Sequence, residues 1–307
     1  MRNILVTGGA GFIGSNIVRE LQARFPEARL VVVDDFRSGD FRNLRGFTGD
    51  FVTADVSRLD WSRQFGDAIF DAIIHEASIT DTTEHDARLQ GHDNIEGFRR
   101  LLEFAAPHET PVVYASSAAT YGICSGVQTE AQPSAPANIY AFTKVQLDNL
   151  AREHARRHPS WRIVGLRYFN VYGPGEAHKG AAASMVYQLF QQIRSGHRPR
   201  VFRAGEQHRD FVYVKDVVSL TLQALNAPRS DIYNCGSGCA ISFNRVIALL
   251  NRALGTDLAP EYIENPFAFY QPHTEADMSK ARQELGFVPE FPPESGIPDY
   301  VRSLCTS

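Results

Sequence analysis

Short apolar runs alternate with longer amphipathic stretches through the first half of the chain. "NILVTG", "RLVVVDDF", "DAIIHEAS" and "PVVYASS" read as strands, apolar on both faces. Between them, "FIGSNIVRELQARF" and "GFRRLLEFAA" carry apolar residues at helical spacing. Strands buried on both faces belong to a parallel sheet covered by helices, so the pattern predicts an α/β, doubly wound Rossmann sheet. A further helix is expected from about Tyr140 to Arg157, followed by "RIVGLRYFN" as another strand. After Val171 the pattern loosens as proline and glycine rise, and "SFNRVIALLNRAL" and "SKARQELGF" predict helices of a smaller α/β lobe. "RDFVYVKDVVSLTLQAL" is expected to return to the first domain as a strand and a helix. The expected division is interleaved: residues 1–170 and about 208–238 in the larger domain, about 171–207 and 239–307 in the smaller lobe.

"LVTGGAGFIG" sets Gly8, Gly11 and Gly14 after a strand and at the mouth of a helix. The first glycine permits a tight turn, the second leaves bare backbone for a pyrophosphate, and the third lets helix and strand pack closely. Asp34, at the end of the second strand, is placed for the ribose hydroxyls of a dinucleotide. The larger domain is therefore expected to bind one. Asp34 and Asp35 together repel a 2′-phosphate and favour NAD, whereas Arg37 or Arg42 would pair with that phosphate and favour NADP. Asp55, at another strand end, is a candidate for the adenine. His75 is expected to be hydrogen-bonded locally rather than to ligate a metal.

Composition narrows the partners. The 307 residues are 43% hydrophobic and 21% charged with a net charge of −4, which gives no basic excess for nucleic acid or a membrane surface. No apolar run is long enough to span a bilayer. The chain enters a strand pattern at once, so no signal peptide is expected. Cys124, Cys235, Cys239 and Cys305 lack a second pair at zinc-ligand spacing; free thiols, no metal and a reducing, cytoplasmic location are the expectation.

The reactive chemistry centres on "YASSAATYG" followed by "NIYAFTK". Tyr140 and Lys144, four apart at the start of a helix, share one face. A phenol titrates near 10 when unperturbed, and a neighbouring ammonium together with a positively charged nicotinamide is expected to bring it down toward a useful base. Ser117, at a strand end, is placed to bond the same substrate oxygen. In "YFNVYGPGEAHKGAAAS", Lys179 sits in a glycine- and proline-rich loop, where it is a second base, a phosphate contact or a solvated charge.

Taken together, "TGGAGFIG", "SSAATYG", "YAFTK", "RYFNVYGP" and "RDFVYVKDV" resemble the extended short-chain dehydrogenase/reductase superfamily, which acts on nucleotide-linked sugars. "HEASITDTTEHD", "RYFNVYGPGEAHKG", "HRDFVYV" and "YQPHTEAD" narrow that resemblance to the ADP-glyceromanno-heptose 6-epimerase family. It implies an isomerase that oxidises carbon six of ADP-D-glycero-D-manno-heptose to a ketone and reduces it from the other face, on a bound NADP or NAD. It also implies a homo-oligomer in the cytoplasm that feeds lipopolysaccharide core synthesis. Tyr140 then matches the first acid/base residue and Lys179 the second, with Ser117 and Lys144 beside them. Phe12, Ile13, Glu76, Ala77, Ser78, Ile79, Thr80, Asn94, Lys144 and Val171 match cofactor positions. Asn170, Ala181, Gln188, Phe202, Arg209 and Tyr270 match substrate positions, Arg209 facing the diphosphate.

The match has departures. Family members often carry serine where Ala181 stands and histidine where Gln188 stands, and their 2′-phosphate lysine has no counterpart in "DDFRSGDFRNL". A UDP-hexose 4-epimerase needs only the Ser/Tyr/Lys set and is the alternative, with Lys179 the discriminator. A 4,6-dehydratase would need acids where Ala118 and Ala119 stand. A dinucleotide-sensing protein without catalysis would share the fold but have no use for Ser117, Tyr140 and Lys144 together.

Overall fold

The computed structural model describes residues 1–80, 86–124, 126–264, 271 and 273–306. The strands are β1 (Asn3–Thr7), β2 (Arg29–Asp34), β3 (Asp50–Thr53), β4 (Ala72–His75), β5 (Val112–Ser117), β6 (Ile163–Tyr168), β7 (Asn170–Tyr172), β8 (Arg200–Phe202), β9 (His208–Tyr213), β10 (Asp231–Cys235), β11 (Ala240–Ser242) and β12 (Glu261–Ile263). Seven of them form one sheet in the order β10-β6-β5-β4-β1-β2-β3, parallel at every pairing. The expected doubly wound sheet is present. Strand order reverses beside β1, and such a reversal opens a crevice at the carboxyl ends of the strands.

Burial on both faces explains the apolar runs. Helices α1 (Phe12–Arg24) and α6 (Val214–Ala224) cover one face through Ile17, Leu21, Val217 and Leu220. After the single turn α2 (Trp61–Phe65), helices α3 (Ala87–Ala105) and α4 (Ile139–Arg157) cover the other through Phe98, Leu101, Leu147 and Leu150. The Asn138 side chain accepts from the Ala141 amide (2.8 Å) and starts α4 one residue before Tyr140.

The second half departs from expectation in two places. β9, expected to join the larger domain, pairs instead with β7 and β11 in a separate three-stranded sheet. Phe211 and Tyr213 bury there with α5 (Met185–Arg194), α7 (Phe243–Leu254) and α9 (Pro293–Thr306), and the place beside β6 is taken by β10. α8 (Ser279–Leu285), expected in the smaller lobe, packs Ala281, with Phe287 just beyond its end, into the core of the large sheet beside Tyr233. Among the described residues no helix is long and apolar enough to cross a membrane.

One buried ion pair fixes α4 against the sheet. Arg167 on β6 and Asp148 on α4 are 1% and 0% exposed and meet at 2.9 Å. Tyr114 Oη donates to the other Asp148 oxygen at 2.9 Å, and the guanidinium lies 4.6 Å from the centre of the Tyr121 ring. Removing one member of such a pair strands a charge in the core, which costs ~3–5 kcal/mol. Asp148→Ala is expected to lose stability on that scale in urea denaturation; a loss below about 1 kcal/mol would refute this account of the pair.

Candidate active site

The crevice beside β1 is a cavity of about 590 Å³, inside the usual range for a small-molecule site. All the residues expected at the cofactor line it: Gly8, Gly11, Phe12, Ile13, Gly14, Asp34, Asp35, Asp55, the Glu76–Thr80 segment, Asn94, Lys144 and Val171. Ser117, Tyr140 and Lys179 line it too. The structure thus brings residues from the amino-terminal turn, the ends of β2, β3, β4 and β5, α3, α4 and the loop after β7 to one place.

At the nucleotide end, Gly8 adopts φ +69°, and a Cβ there would lie 2.5 Å from the Ala77 amide nitrogen. A Cβ on Gly14 would lie 2.2 Å from the Gly8 carbonyl oxygen, which is the close approach expected of the third glycine. A Cβ on Gly11 would meet the Gly8 oxygen at 3.1 Å and otherwise project into open space. Gly11 is also the N-cap of α1, with no side chain over the helix end and no acid in the first turn, so the amides there suit an anion.

Asp34 accepts from the Ala10 amide (2.9 Å) and the Phe36 amide (2.8 Å), which ties the second strand to the glycine turn. Burial pushes its carboxyl above the ordinary value despite those two bonds. Arg37 is engaged with acids: 2.6 Å to Asp93, 3.6 Å to Asp35 and 3.8 Å to Asp55. Arg42 is held by Asp40 at 2.5 Å. Asn94 lines the wall, and its amide bonds Ile79 N (2.7 Å), Ile79 O (3.1 Å) and Thr143 Oγ1 (3.1 Å), so it shapes the 78–80 segment and links it to α4. His75 behaves as expected: it is 2% exposed, its Nδ1 meets Thr7 Oγ1 at 2.8 Å, and burial pushes it down to about 3.

At the reactive end, Lys144 is 1% exposed and donates to the Ala115 carbonyl at 2.8 Å. Burial pushes its amine down to about 8, while Glu76 and Asp148 hold it up. Burial pushes the Tyr140 phenol above the ordinary value; a hydrogen bond from Ser117 acts the other way, and the Glu76 charge adds to the rise. The Lys144 ammonium does not offset this in the protein alone, because it is aimed at a backbone carbonyl and lies 5.8 Å from the centre of the Tyr140 ring.

Lys179 lines the cavity from a 3-10 stretch over residues 177–182, with its ammonium 5.7 Å from the centre of the Phe12 ring. Burial lowers its amine and Glu176 holds it up. The loop is pinned at both ends. Glu176 accepts from Gly173 N (3.1 Å), Ser184 Oγ (2.9 Å) and Ser184 N (2.6 Å). Asn16 on α1 donates to the Pro174 carbonyl at 2.8 Å, and Gln188 donates to the carbonyls of Ala181 (3.0 Å) and Ala183 (2.8 Å).

Asn170, Ala181, Gln188, Phe202 and Arg209 do not line this cavity. Asn170 bonds the Asp210 carbonyl (3.2 Å) and Thr274 (3.3 Å), and Arg209 donates to the His208 carbonyl (2.8 Å). Tyr270 lies outside the described residues. Sequence reasoning missed Asp93, Ser116, Tyr168 and His178, all of which line the cavity. For Tyr168 a signal was available, since it closes a strand at the carboxyl edge where ligands bind. Among the described residues no group of three or more His, Cys, Asp or Glu is arranged to hold a metal.

Residues 4–236 match the model of the NAD dependent epimerase/dehydratase family. The chain belongs to that family. Among solved structures, ADP-L-glycero-D-manno-heptose-6-epimerase from Helicobacter pylori is similar at 38% identity and a TM-score of 0.93, over 100% of this chain and 97% of that one. UDP-glucose 4-epimerase from Thermotoga maritima, solved with UDP-glucose, is 28% identical with a TM-score of 0.90, over 99% of each chain. UDP-glucuronic acid 4-epimerase from Bacillus cereus, in complex with UDP-glucuronic acid and NAD, is 25% identical with a TM-score of 0.84, over 98% of this chain and 99% of that one. The protein is an enzyme of the epimerase type.

The residues present fit the nicotinamide dinucleotide that membership of this epimerase/dehydratase family implies. The open space above Gly11, the uncapped start of α1 and Asp34 at the cavity wall are the cradle such a group needs. Gly14→Ala would overpack the turn, and overpacking costs ~1–3 kcal/mol. Affinity for NAD, read by calorimetry, is expected to fall roughly tenfold or more. Unchanged affinity would rule out this role for the turn.

Proposed function

We propose that the protein epimerises carbon six of ADP-D-glycero-D-manno-heptose, giving ADP-L-glycero-D-manno-heptose. The observation that carries the proposal is that Tyr140 and Lys179, from different elements, line one cavity with Ser117 and Lys144. Inverting a carbinol carbon through a ketone leaves the oxygen pointing in two different directions in the two epimers, and a base on each side serves both. The 38% identity with the heptose 6-epimerase over the whole chain supports this choice of sugar. The similarity to UDP-glucose 4-epimerase supports the alternative, a UDP-hexose 4-epimerase, in which Lys179 has no part.

Tyr140 takes the proton from the hydroxyl of one epimer while Ser117 bonds the same oxygen. Lys144, buried beneath, supplies positive charge to the phenolate. A nicotinamide held by the glycine turn and Asp34 would supply the hydride acceptor and donor. Lys179 gives a proton to the reoriented oxygen and takes it in the reverse direction; its lowered amine suits both roles. The test is incubation with ADP-D-glycero-β-D-manno-heptose, with the epimers resolved by NMR. Conversion by wild type is expected, and Lys179→Ala is expected to be slower by roughly 10²–10⁴. Interconversion of UDP-glucose and UDP-galactose without action on the heptose would sink the proposal in favour of the 4-epimerase.

The cofactor we assign is NAD rather than NADP. Both arginines that would receive a 2′-phosphate are neutralised, Arg37 by Asp93, Asp35 and Asp55 and Arg42 by Asp40. A phosphate dianion there meets a surplus of carboxylates. NADH is expected to bind at least about tenfold more tightly than NADPH by fluorescence titration, a difference of ~1.4 kcal/mol. Asp93→Asn, which loosens Arg37, should narrow the gap. Equal affinities in wild type would overturn the assignment.

A further inference from the structure

Glu76 follows β4 directly, and its amide donates to the Thr7 carbonyl at 3.0 Å. Register places its side chain. His75 pairs with Tyr114, so Glu76 stands level with Ala115, the residue whose carbonyl accepts from Lys144. On the next strand, Tyr168 pairs with Ser117 and donates its hydroxyl to Glu76 Oε1 at 2.7 Å. Glu76, Ser117, Tyr140, Lys144 and Tyr168 all line the one cavity. An ionisable carboxyl thus stands at the reactive end of the sheet, among the groups that handle protons, with no step assigned to it.

The charged and titratable groups that face it are few among the described residues. Lys144 and Tyr140 face it from α4, Tyr168 from β6 and the Cys235 thiol from β10. Burial raises the Cys235 thiol, and the charges of Asp216, Glu76 and Asp210 add to the rise. His75, its neighbour on β4, is neutral. We propose that Glu76 is a positioning residue for the acid–base chemistry: bonded to Tyr168 and facing the cavity that Lys144 and Tyr140 also line, its carboxylate favours the ammonium of Lys144 over the phenolate of Tyr140. The charges agree in sign. A carboxylate favours a nearby ammonium and disfavours a nearby phenolate, and Glu76 raises both groups. Its own carboxyl is pushed up to about 7 by burial, with Lys144 and the Tyr168 bond pulling it back. Its charge is therefore present above neutrality and fades below it.

The inference rests on the reading of Tyr140 as the base only for its catalytic consequence. Its first test needs no substrate. The lysines of the chain are Lys144, Lys179, Lys215 and Lys280, so protein labelled with 13C at lysine Cε gives a sparse spectrum in which Lys144→Met identifies the Lys144 signal. In Glu76→Gln the Lys144 midpoint is expected to move to lower pH; in Glu76→Asp, which keeps the charge, it should stay near the wild-type value. An unmoved midpoint in Glu76→Gln overturns the proposal whatever the enzyme's substrate proves to be. Should that variant fail to fold, the reciprocal measurement uses glutamate labelled at Cδ. There the carboxyl that titrates near neutrality should move up in Lys144→Met, and an unmoved midpoint again overturns the proposal. The second test is the pH profile of kcat/KM on the converted sugar, whose acid limb should move to lower pH in Glu76→Gln. A limb that stays put while the Lys144 midpoint moves would overturn the Tyr140 half of the proposal.

Discussion

The bond from the Lys144 amine to the Ala115 carbonyl joins the start of α4 to the carboxyl end of β5 inside the cavity wall. An amine buried to 1% must find an acceptor or lose its charge, and here the backbone of the neighbouring strand provides one. Because Tyr140 sits one turn earlier on the same helix and Ser117 two residues further along the same strand, this contact also sets the spacing between phenol and hydroxyl. The Arg167–Asp148 pair, one turn later on α4, holds the same helix at its middle. Two buried cations, each satisfied in a different way, thus decide where the reactive groups stand.

The sheet was legible because parallel strands buried on both faces leave continuous apolar runs, and β1, β2, β4, β5 and β6 all carry them. The glycine turn and Asp34 were legible because each position is imposed by backbone geometry within a short stretch of chain. β9 was misplaced for a physical reason. "RDFVYV" is as apolar as a strand of the large sheet, and nothing local distinguishes burial against Leu166 from burial against Phe243. Only the competition for the edge beside β6, won by β10, decides it.

The site shows the same limit. Tyr140, Lys144, Ser117 and Lys179 could be named from spacing and resemblance, but their electrostatics could not. A tyrosine with lysine four residues on suggests a phenol made more acidic. In the protein alone, burial and Glu76 act against that direction, and both depend on strands far apart in sequence. Glu76 itself stood in plain view in "HEASIT", yet its relation to Lys144 depends on the register of β4 against β5. Asp93 was hidden in a helix, and its pairing with Arg37 joins residues 56 positions apart.

The loop that carries Lys179 is strapped to the nucleotide turn at two points: Asn16, in the first turns of α1, holds Pro174, and Asn43 Nδ2 lies 3.2 Å from His178 Nδ1 while donating to the Ala10 carbonyl. Gly11, His178 and Lys179 line the same cavity, so these two bonds tie the seat of a dinucleotide to the segment that bears one of the two proposed proton carriers. A change that shifts the nucleotide turn would therefore be felt at the reactive end, although the two are far apart along the chain.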